Sequence, residues 1–417
     1  MDRRQLLERT ALLAIAGSLT GVAGCGADPK LARADVARTP PDTAAAPTVS
    51  AAASALGVDL LRATSGGNLI CSPLSVLVAL AMVRNGAGGT TAAEMDKALH
   101  LPQLDALNAG LNAVDQTLVT RSGARQNGDT KGTVEIDVAN AVWGQQGITW
   151  RPQFLNTLSA DYGTGVRETD FKRTAEAIEA VNRWVSDQTH GKITDIANPQ
   201  VITAETVLAL VNALYLKAPW ENAFADAGDQ PFAGPDGSAP VPMITDDVRS
   251  SFVKGRGWTA ARLPLLGNEV AVTVVRPDGD LATLLGTLVD GGLARLLRQP
   301  PLGATSVTLP TFTFRSKLDL KPVLRKLGMS TAFTPDADFG GLSADAQLML
   351  QAVAHQGFIA LDQNGVEAAA ATVVTVMPTS GLVHEHTLLL DRPFFFCIHD
   401  VELALPLLVG VVVDPTA

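Results

Sequence analysis

Residues 205–216 read ETVLALVNALYL, and from Val207 onward the run is almost wholly apolar, with β-branched and aromatic members. A strand with one wet face alternates polar and apolar residues. This one does not, so it reads as a strand buried on both faces. Such a strand needs a sheet with cover above and below it. A chain of 417 residues, 47% of them hydrophobic, has material for one large core or two ordinary domains.

The rest of the chain supplies that cover in a particular order. Residues 51–62 read as a helix. Ser72 predicts an N-cap with Pro73 at the first helical position, and the apolar stretch that follows stops at the glycines of residues 86–89. Thr90 or Thr91 predicts the next cap, with Thr91 and Glu94 at capping-box spacing. Residues 120–132 read as a polar loop and 133–143 as a strand. Residues 151–160 and 175–190 read as helices, the second with Ile178, Val181, Trp184 and Val185 on one face. Beyond Lys217 come strand candidates at 258–265, 269–275, 305–315, 347–361 and 403–413, with helices near 281–298 and 319–327. Helices mostly early, strands mostly late and no regular βαβ beat predict an α+β fold with large sheets.

Several functions drop out at this level. Forty-two acidic residues against 32 lysines and arginines, with no long basic run, disfavour a nucleic-acid partner. There is no glycine-rich phosphate loop and no His/Cys metal cluster, so neither cofactor nor metal is expected. No Gly-x-Ser-x-Gly elbow occurs and no catalytic triad can be placed, so the chain does not read as an enzyme. His384 and His386 have a metal-like spacing but lack a third ligand.

The N-terminus reads as an address. Arg3, Arg4 and Arg9 precede an apolar stretch from Thr10 to Ala23, which leads into Val22-Ala23-Gly24-Cys25. That is signal-peptide organisation over residues 1–25. The last four residues resemble a bacterial lipobox, in which Cys25 is lipidated and becomes the new N-terminus. The alternative is a plain signal peptide whose cleavage falls near a cysteine. Arg3-Arg4-Gln5-Leu6-Leu7 loosely resembles a twin-arginine export signal. Residues 26–50 are rich in Ala, Pro, Thr and Asp and read as a flexible linker between a membrane and a single globular body over 51–417. The expectation is an exported protein, extracellular or held in the cell envelope by lipid. With Cys25 so used, a Cys71–Cys397 bridge is arithmetically open, but both lie in apolar runs where a free thiol serves as a small hydrophobe.

Residues 356–393 are the most unusual stretch. Gly365 marks a turn or hinge. Four alanines, Ala368, Ala369, Ala370 and Ala371, precede Thr372-Val373-Val374-Thr375-Val376, a run with strong β propensity. Pro378, Thr379, Ser380 and Gly381 then read as exposed loop. About 25 residues of such a loop is far longer than ordinary connections. One reading is a helix followed by an edge strand. The other is a loop able to become a strand, with small residues easing entry into a packed sheet.

Here the chain resembles the serpin family. Gly365-Val366-Glu367-Ala368-Ala369-Ala370-Ala371-Thr372 is similar to the hinge of inhibitory serpins, and Asp391-Arg392-Pro393-Phe394 to the strand after their reactive loop. Asn68, Ser72-Pro73, Ser75 and Ala79-Leu80-Ala81-Met82 resemble the N-terminal helical motif. Asn182, Trp184-Val185, Thr189 and Gly191-Lys192-Ile193 resemble the mid-chain helix and turn. Val211-Asn212-Ala213-Leu214-Tyr215-Leu216-Lys217 with Trp220 and Phe224 resembles the central strand. Leu309-Pro310, Phe312, Leu327-Gly328-Met329, Pro406-Leu407 and Gly410 complete a match from about residue 50 to 417.

The resemblance implies helices packed around a large central mixed β-sheet, further sheets, and an exposed reactive loop over about 365–390. It implies a monomeric suicide inhibitor of serine endopeptidases: the protease acylates itself on the loop, and the cleaved loop inserts into the sheet. Counted from Gly365 in the family's spacing, the scissile bond joins Thr379 (P1) to Ser380, with Met377 the second choice for P1. A small uncharged P1 disfavours trypsin-like enzymes and suits elastase-like or subtilisin-like ones; a cysteine protease stays open. The resemblance places the shutter, where the sheet parts, at Ser72, Ser75, Asn212 and His355, and the breach, where the loop enters, at Trp220. Three residues depart from the pattern. Gln363 replaces the usual glutamate at the loop's root, Val366 a threonine or serine at the first inserting position, and Ala218 a glycine. The alternative is a serpin-fold substrate or binding protein that no longer inhibits.

Overall fold

A computed structural model describes residues 29–64, 66–101, 103–128, 130–249, 251–367 and 385–417. Along the first half lie β1 (Lys30–Ala32), α1 (Ala46–Ala63), β2 (Leu69–Cys71), α2 (Pro73–Arg84), α3 (Gly89–Ala98), α4 (Leu104–Arg121), β3 (Gly123–Asn127), β4 (Thr130–Gln145), α5 (Pro152–Tyr162), β5 (Val166–Thr169), α6 (Thr174–Gln188) and β6 (Leu208–Pro219). The second half carries β7 (Ala225–Gly234), β8 (Gly237–Val248), β9 (Phe252–Gly255), β10 (Trp258–Pro264), β11 (Val270–Pro277), α7 (Leu281–Leu288), α8 (Gly292–Arg298), β12 (Thr305–Pro310) and β13 (Phe312–Asp319). It ends with α9 (Leu320–Lys326), β14 (Ala352–Asp362), β15 (Gly365–Val366), β16 (His386–Leu389), β17 (Phe394–Asp400) and β18 (Leu405–Val412). This is the mixed architecture that the residue order predicts.

Three sheets organise these strands. The largest runs β1-β5-β4-β6-β15-β14-β13, with β3 paired to β4 and a further direct pairing of β6 with β14. The second runs β2-β18-β17-β11-β10-β9 and the third β16-β12-β8-β7. The apolar strand at 205–216 is β6, at the centre of the large sheet. One face of that sheet packs on the main core, which includes α1 and α2. On the other face α6 and the segment after it cover Ala139, Ala141, Ala209, Ala213, Ala352 and Ala354, with Trp143 alongside. Cover on both faces is why β6 shows no alternation.

Three expectations about local structure are corrected. Residues 120–132 form the end of α4, β3 and the start of β4, a hairpin whose polar composition reflects its exposed edge. Thr91 and Glu94 do not make a capping box; the cap of α3 is Gly88. Thr91 Oγ1 instead accepts from Asp338 N, and the Glu94 carboxylate accepts from Ser330 N and Thr331 N. The span 305–315 is two strands in two sheets, broken at Thr311.

The described part of residues 26–50 is not a free tether. Lys30–Ala32 pairs antiparallel with Val166–Glu168. Arg38 reaches Asn112 Oδ1 and Asp115 on α4, each at 2.8 Å, and Thr39 N donates to Ala160 O. Hydrogen bonds and two ion pairs, Lys30–Glu168 and Arg38–Asp115, hold an arm that has little apolar surface to bury. Cys25 lies outside the described residues. Cys71 and Cys397 are buried free thiols. Both are in register with Val409 on the strand between them, so they sit two strand spacings apart, roughly 10 Å, beyond the reach of a disulfide. Burial pushes the Cys71 thiol up to about 12, which keeps it inert.

Candidate functional site

The site is a seam between β6 and β14. These strands run parallel and pair directly over Ala209–Ala213 and Ala352–Gln356. At the other end β15 is wedged between them: Gly365 and Val366 pair antiparallel with Pro219 and Ala218 on one side and with Asp362 and Leu361 on the other. Between these zones, among the described residues, no strand pairing crosses the seam from 214–217 to 357–360.

The closed end rests on a polar cluster under the sheet. Ser72 caps α2, its Oγ accepting from Ser75 N at 3.1 Å. The strand-like backbone of the cap turns the Ser72 amide toward β14, where it donates to His355 Nε2 at 2.9 Å. Because Nε2 accepts, the ring proton sits on Nδ1, from which it is donated to Asn212 Oδ1. His355 and Asn212 face each other in register across the seam. One imidazole thus ties helix α2 to both strands of the seam. All four residues are at most 1% exposed, and burial pushes the imidazole down to about 4, so it is neutral near pH 7. The amide nitrogen of Asn212 is buried with no partner among the described residues. Asn140, in register with Asn212 on β4, extends the cluster: with its nitrogen oriented to suit its neighbours, it donates to Ser75 O at 3.1 Å.

The open end is built by a tight turn. Asp362 Oδ1 accepts from Asn364 N at 2.7 Å and from Gly365 N at 3.3 Å, an Asx-type turn. Gly365 has φ +152°, and a Cβ there would lie 2.2 Å from Ala218 O, so only glycine lets the returning chain enter so close to β6. Trp220 covers this turn. Its Nε1 donates to Asp362 O at 2.8 Å and its backbone amide to Asn364 O at 3.0 Å, while its ring packs on Phe224. The Gln363 side chain is exposed, and its main-chain carbonyl accepts from Phe224 N at 3.1 Å, so main-chain contacts hold this turn. Val366 is 1% exposed.

The structure therefore brings Ser72, Ser75, Asn212 and His355 into one cluster and sets Trp220, Gly365 and Val366 at the opposite end of the same seam. Ala368, Ala369, Ala370, Ala371, Thr372, Met377, Thr379 and Ser380 lie outside the described residues. Sequence reading missed Asn140 and Asp362; the Asp-x-Asn-Gly order at 362–365 is the turn signal that marks the latter. It named Glu367 and Lys192 without joining them, although they form an ion pair at 2.6 Å. Among the described residues there is no group of three or more His, Cys, Asp or Glu side chains placed to hold a metal.

The family model described as "Serpin (serine protease inhibitor)" matches residues 51–415. An uncharacterised serpin-like protein of Thermococcus kodakarensis is 32% identical over 86% of this chain and 83% of its own. The leukocyte elastase inhibitor of Sus scrofa is 30% identical over 84% of this chain and 95% of its own. Among solved structures, the thermophilic serpin tengpin in its native state superposes with a TM-score of 0.79 at 25% identity, covering 93% of this chain and all of that one.

Proposed function

Because the chain belongs to the serpin family, and so is a pseudo-substrate scaffold and no catalyst, we propose that it is an irreversible suicide inhibitor of serine endopeptidases that traps the acyl-enzyme by loop insertion between β6 and β14. The observation that carries this reading is β15, two hinge residues paired with both strands of the seam.

Continuing that register along the sequence gives the inserted state. Ala368 falls between Leu216 and Ile359, Ala370 between Leu214 and Gly357, and Thr372 between Asn212 and His355. Val374 and Val376 follow on the same inward face. Alanines thus fall on the inward face beside Leu216 and Leu214, and β-branched residues on the same face further along. The five residue pairs from Ala209↔Ala352 to Ala213↔Gln356 are lost and replaced by two antiparallel ladders. The Thr372 hydroxyl takes the place between His355 and Asn212, where the unpartnered Asn212 amide supplies a donor. The inserted run from Gly365 to Thr379 spans about 50 Å at ~3.3 Å per residue, enough to carry the acylated protease across the molecule.

In this reading Thr379 is P1, with Met377 the alternative, and the target has an elastase-like or subtilisin-like pocket. A relative named for leukocyte elastase inhibition supports the choice. The inhibitor works as a monomer, exported and held at the cell envelope through lipidated Cys25; Cys25→Ser should release it from the membrane fraction.

The test uses residues 29–417 with elastase-like, subtilisin-like, chymotrypsin-like and trypsin-like proteases on denaturing gels. The expected result is a covalent band near the summed mass, with cleavage after Thr379 by mass spectrometry. Clean cleavage, full residual protease activity and no gain in thermal stability would overturn the reading in favour of a non-inhibitory binding protein.

A further inference from the structure

Two hinge residues sit in the sheet, and the feature that stops the next one is in view. After Val366 the ladder continues for one bond, from Glu367 N to Ala360 O at 2.7 Å. Glu367 itself leaves the strand conformation, with φ +50°, a left-handed backbone that strains any residue carrying a Cβ. Its carboxylate is 2.6 Å from Lys192 Nζ, and the Glu367 side chain is 9% exposed against 42% for Lys192. Tyr215 stands beside the carboxylate; its ionisation is pushed up by burial first and by Glu367 second. The Lys192 ammonium also lies 5.8 Å over the ring of Phe358.

These contacts fall at one level of the seam. Tyr215 is on β6 and Phe358 on β14, and the register that begins at Val366 puts Ala369 between them. Lys192 comes from the turn after α6, which lies on the outer face of the sheet. The ion pair therefore sits across the unpaired stretch of the seam, over the position that an advancing strand occupies next.

We propose that Lys192 and Glu367 form a stop that holds the uncleaved hinge two residues deep in the sheet, and that the pair must give way, with Glu367 passing from left-handed to extended backbone, before residue 369 enters. Both are positioning residues for insertion. Seating the first two residues starts the strand in advance, while the stop keeps the intact loop from running on by itself. This inference rests on the loop-insertion reading.

The test compares the full chain with Lys192→Gln, Glu367→Gln and the charge swap Lys192→Glu/Glu367→Lys. Two rates are read without any target protease. One is the passage of intact protein at 37 °C into a form that resists urea on native gels. The other is the annealing of a synthetic peptide with the sequence of residues 366–379. Each single variant should raise both rates roughly fivefold, the size of one partly buried ion pair, and the swap should bring them back toward wild type. Unchanged rates in the single variants, whatever happens to their melting temperature, would make the pair a mere surface bridge and overturn the stop. So would a swap that fails to restore. A wild-type chain that anneals no peptide would overturn the insertion reading itself, an outcome separate from equal annealing in all variants.

Discussion

Lowering the pH should loosen the seam through His355. The imidazole accepts from Ser72 N and donates to Asn212, no charged side chain contributes to its shift, and burial pushes it down to about 4 from 6.5. The sign follows from the depressed value. Above pH 6.5 neither the folded nor the unfolded form is protonated, and stability is full. Between 6.5 and 4 the unfolded form takes up the proton first, so stability falls at about 1.4 kcal/mol per pH unit. By pH 5 the loss is about 2 kcal/mol, which in a chain of this size lowers Tm by about 2–4 °C. His399 acts in the same direction. It is pushed down to about 3, by burial first and the Arg262 charge second, while Asp246, pushed up to about 6 chiefly by burial, opposes both histidines below pH 6. The perturbation is His355→Gln, whose amide keeps an acceptor for Ser72 N but does not titrate. Thermal melts from pH 8 to 5 should give a variant whose stability falls less steeply than wild type, by about 1.4 kcal/mol per pH unit below pH 6.5. Parallel slopes would refute the argument, because they would mean that His355 is protonated in the folded state or already solvated. Comparing slopes and not absolute Tm removes whatever packing the glutamine loses.

Three further outcomes follow from the seam and its surroundings. Val366→Arg places a charge where the side chain is 1% exposed between Ala218 and Leu361. β15 should leave the sheet, and protease assays should show substrate turnover in place of covalent complex, with stoichiometry rising at least tenfold if insertion is driven as proposed. Thr379→Arg should shift complex formation toward trypsin-like enzymes, whose pocket carries an aspartate, and mass spectrometry should find cleavage after the new arginine. Arg38→Ala removes the contacts to Asn112, Asp115 and the Asp161 carbonyl. It should cost about 1–2 kcal/mol, seen as a lower Tm and faster hydrogen exchange in residues 30–39.

What the residues disclosed in advance depended on how local the cause was. Ser72 and Pro73 start α2 through the backbone of their own turn, so the cap was legible. β6 was legible because its burial leaves a mark on every residue of the strand. Thr91 and Glu94 have capping-box spacing, yet their oxygens serve backbone amides near residues 330–338, more than two hundred positions away. Spacing reports a residue's capacity to accept a hydrogen bond, and the fold decides which donor it meets. The arm at 30–45 fails to register for a related reason. Composition records apolar area, and this arm is held by Arg38, by Thr39 and by main-chain pairing to β5. At the site the same division holds. The cluster of Ser72, Ser75, Asn212 and His355 could be named from the family pattern, but its direction could not: only the acceptor role of Nε2 toward Ser72 fixes the ring proton on the Asn212 side. The Lys192–Glu367 pair left no trace at all, since an ion pair between a helix-end turn and a hinge 175 positions later has no period and no motif. Its consequence is nonetheless local. The residue with the left-handed backbone at the end of β15 is also the one whose charge is held, so under the proposed insertion the side chain that interrupts the strand also governs when it resumes.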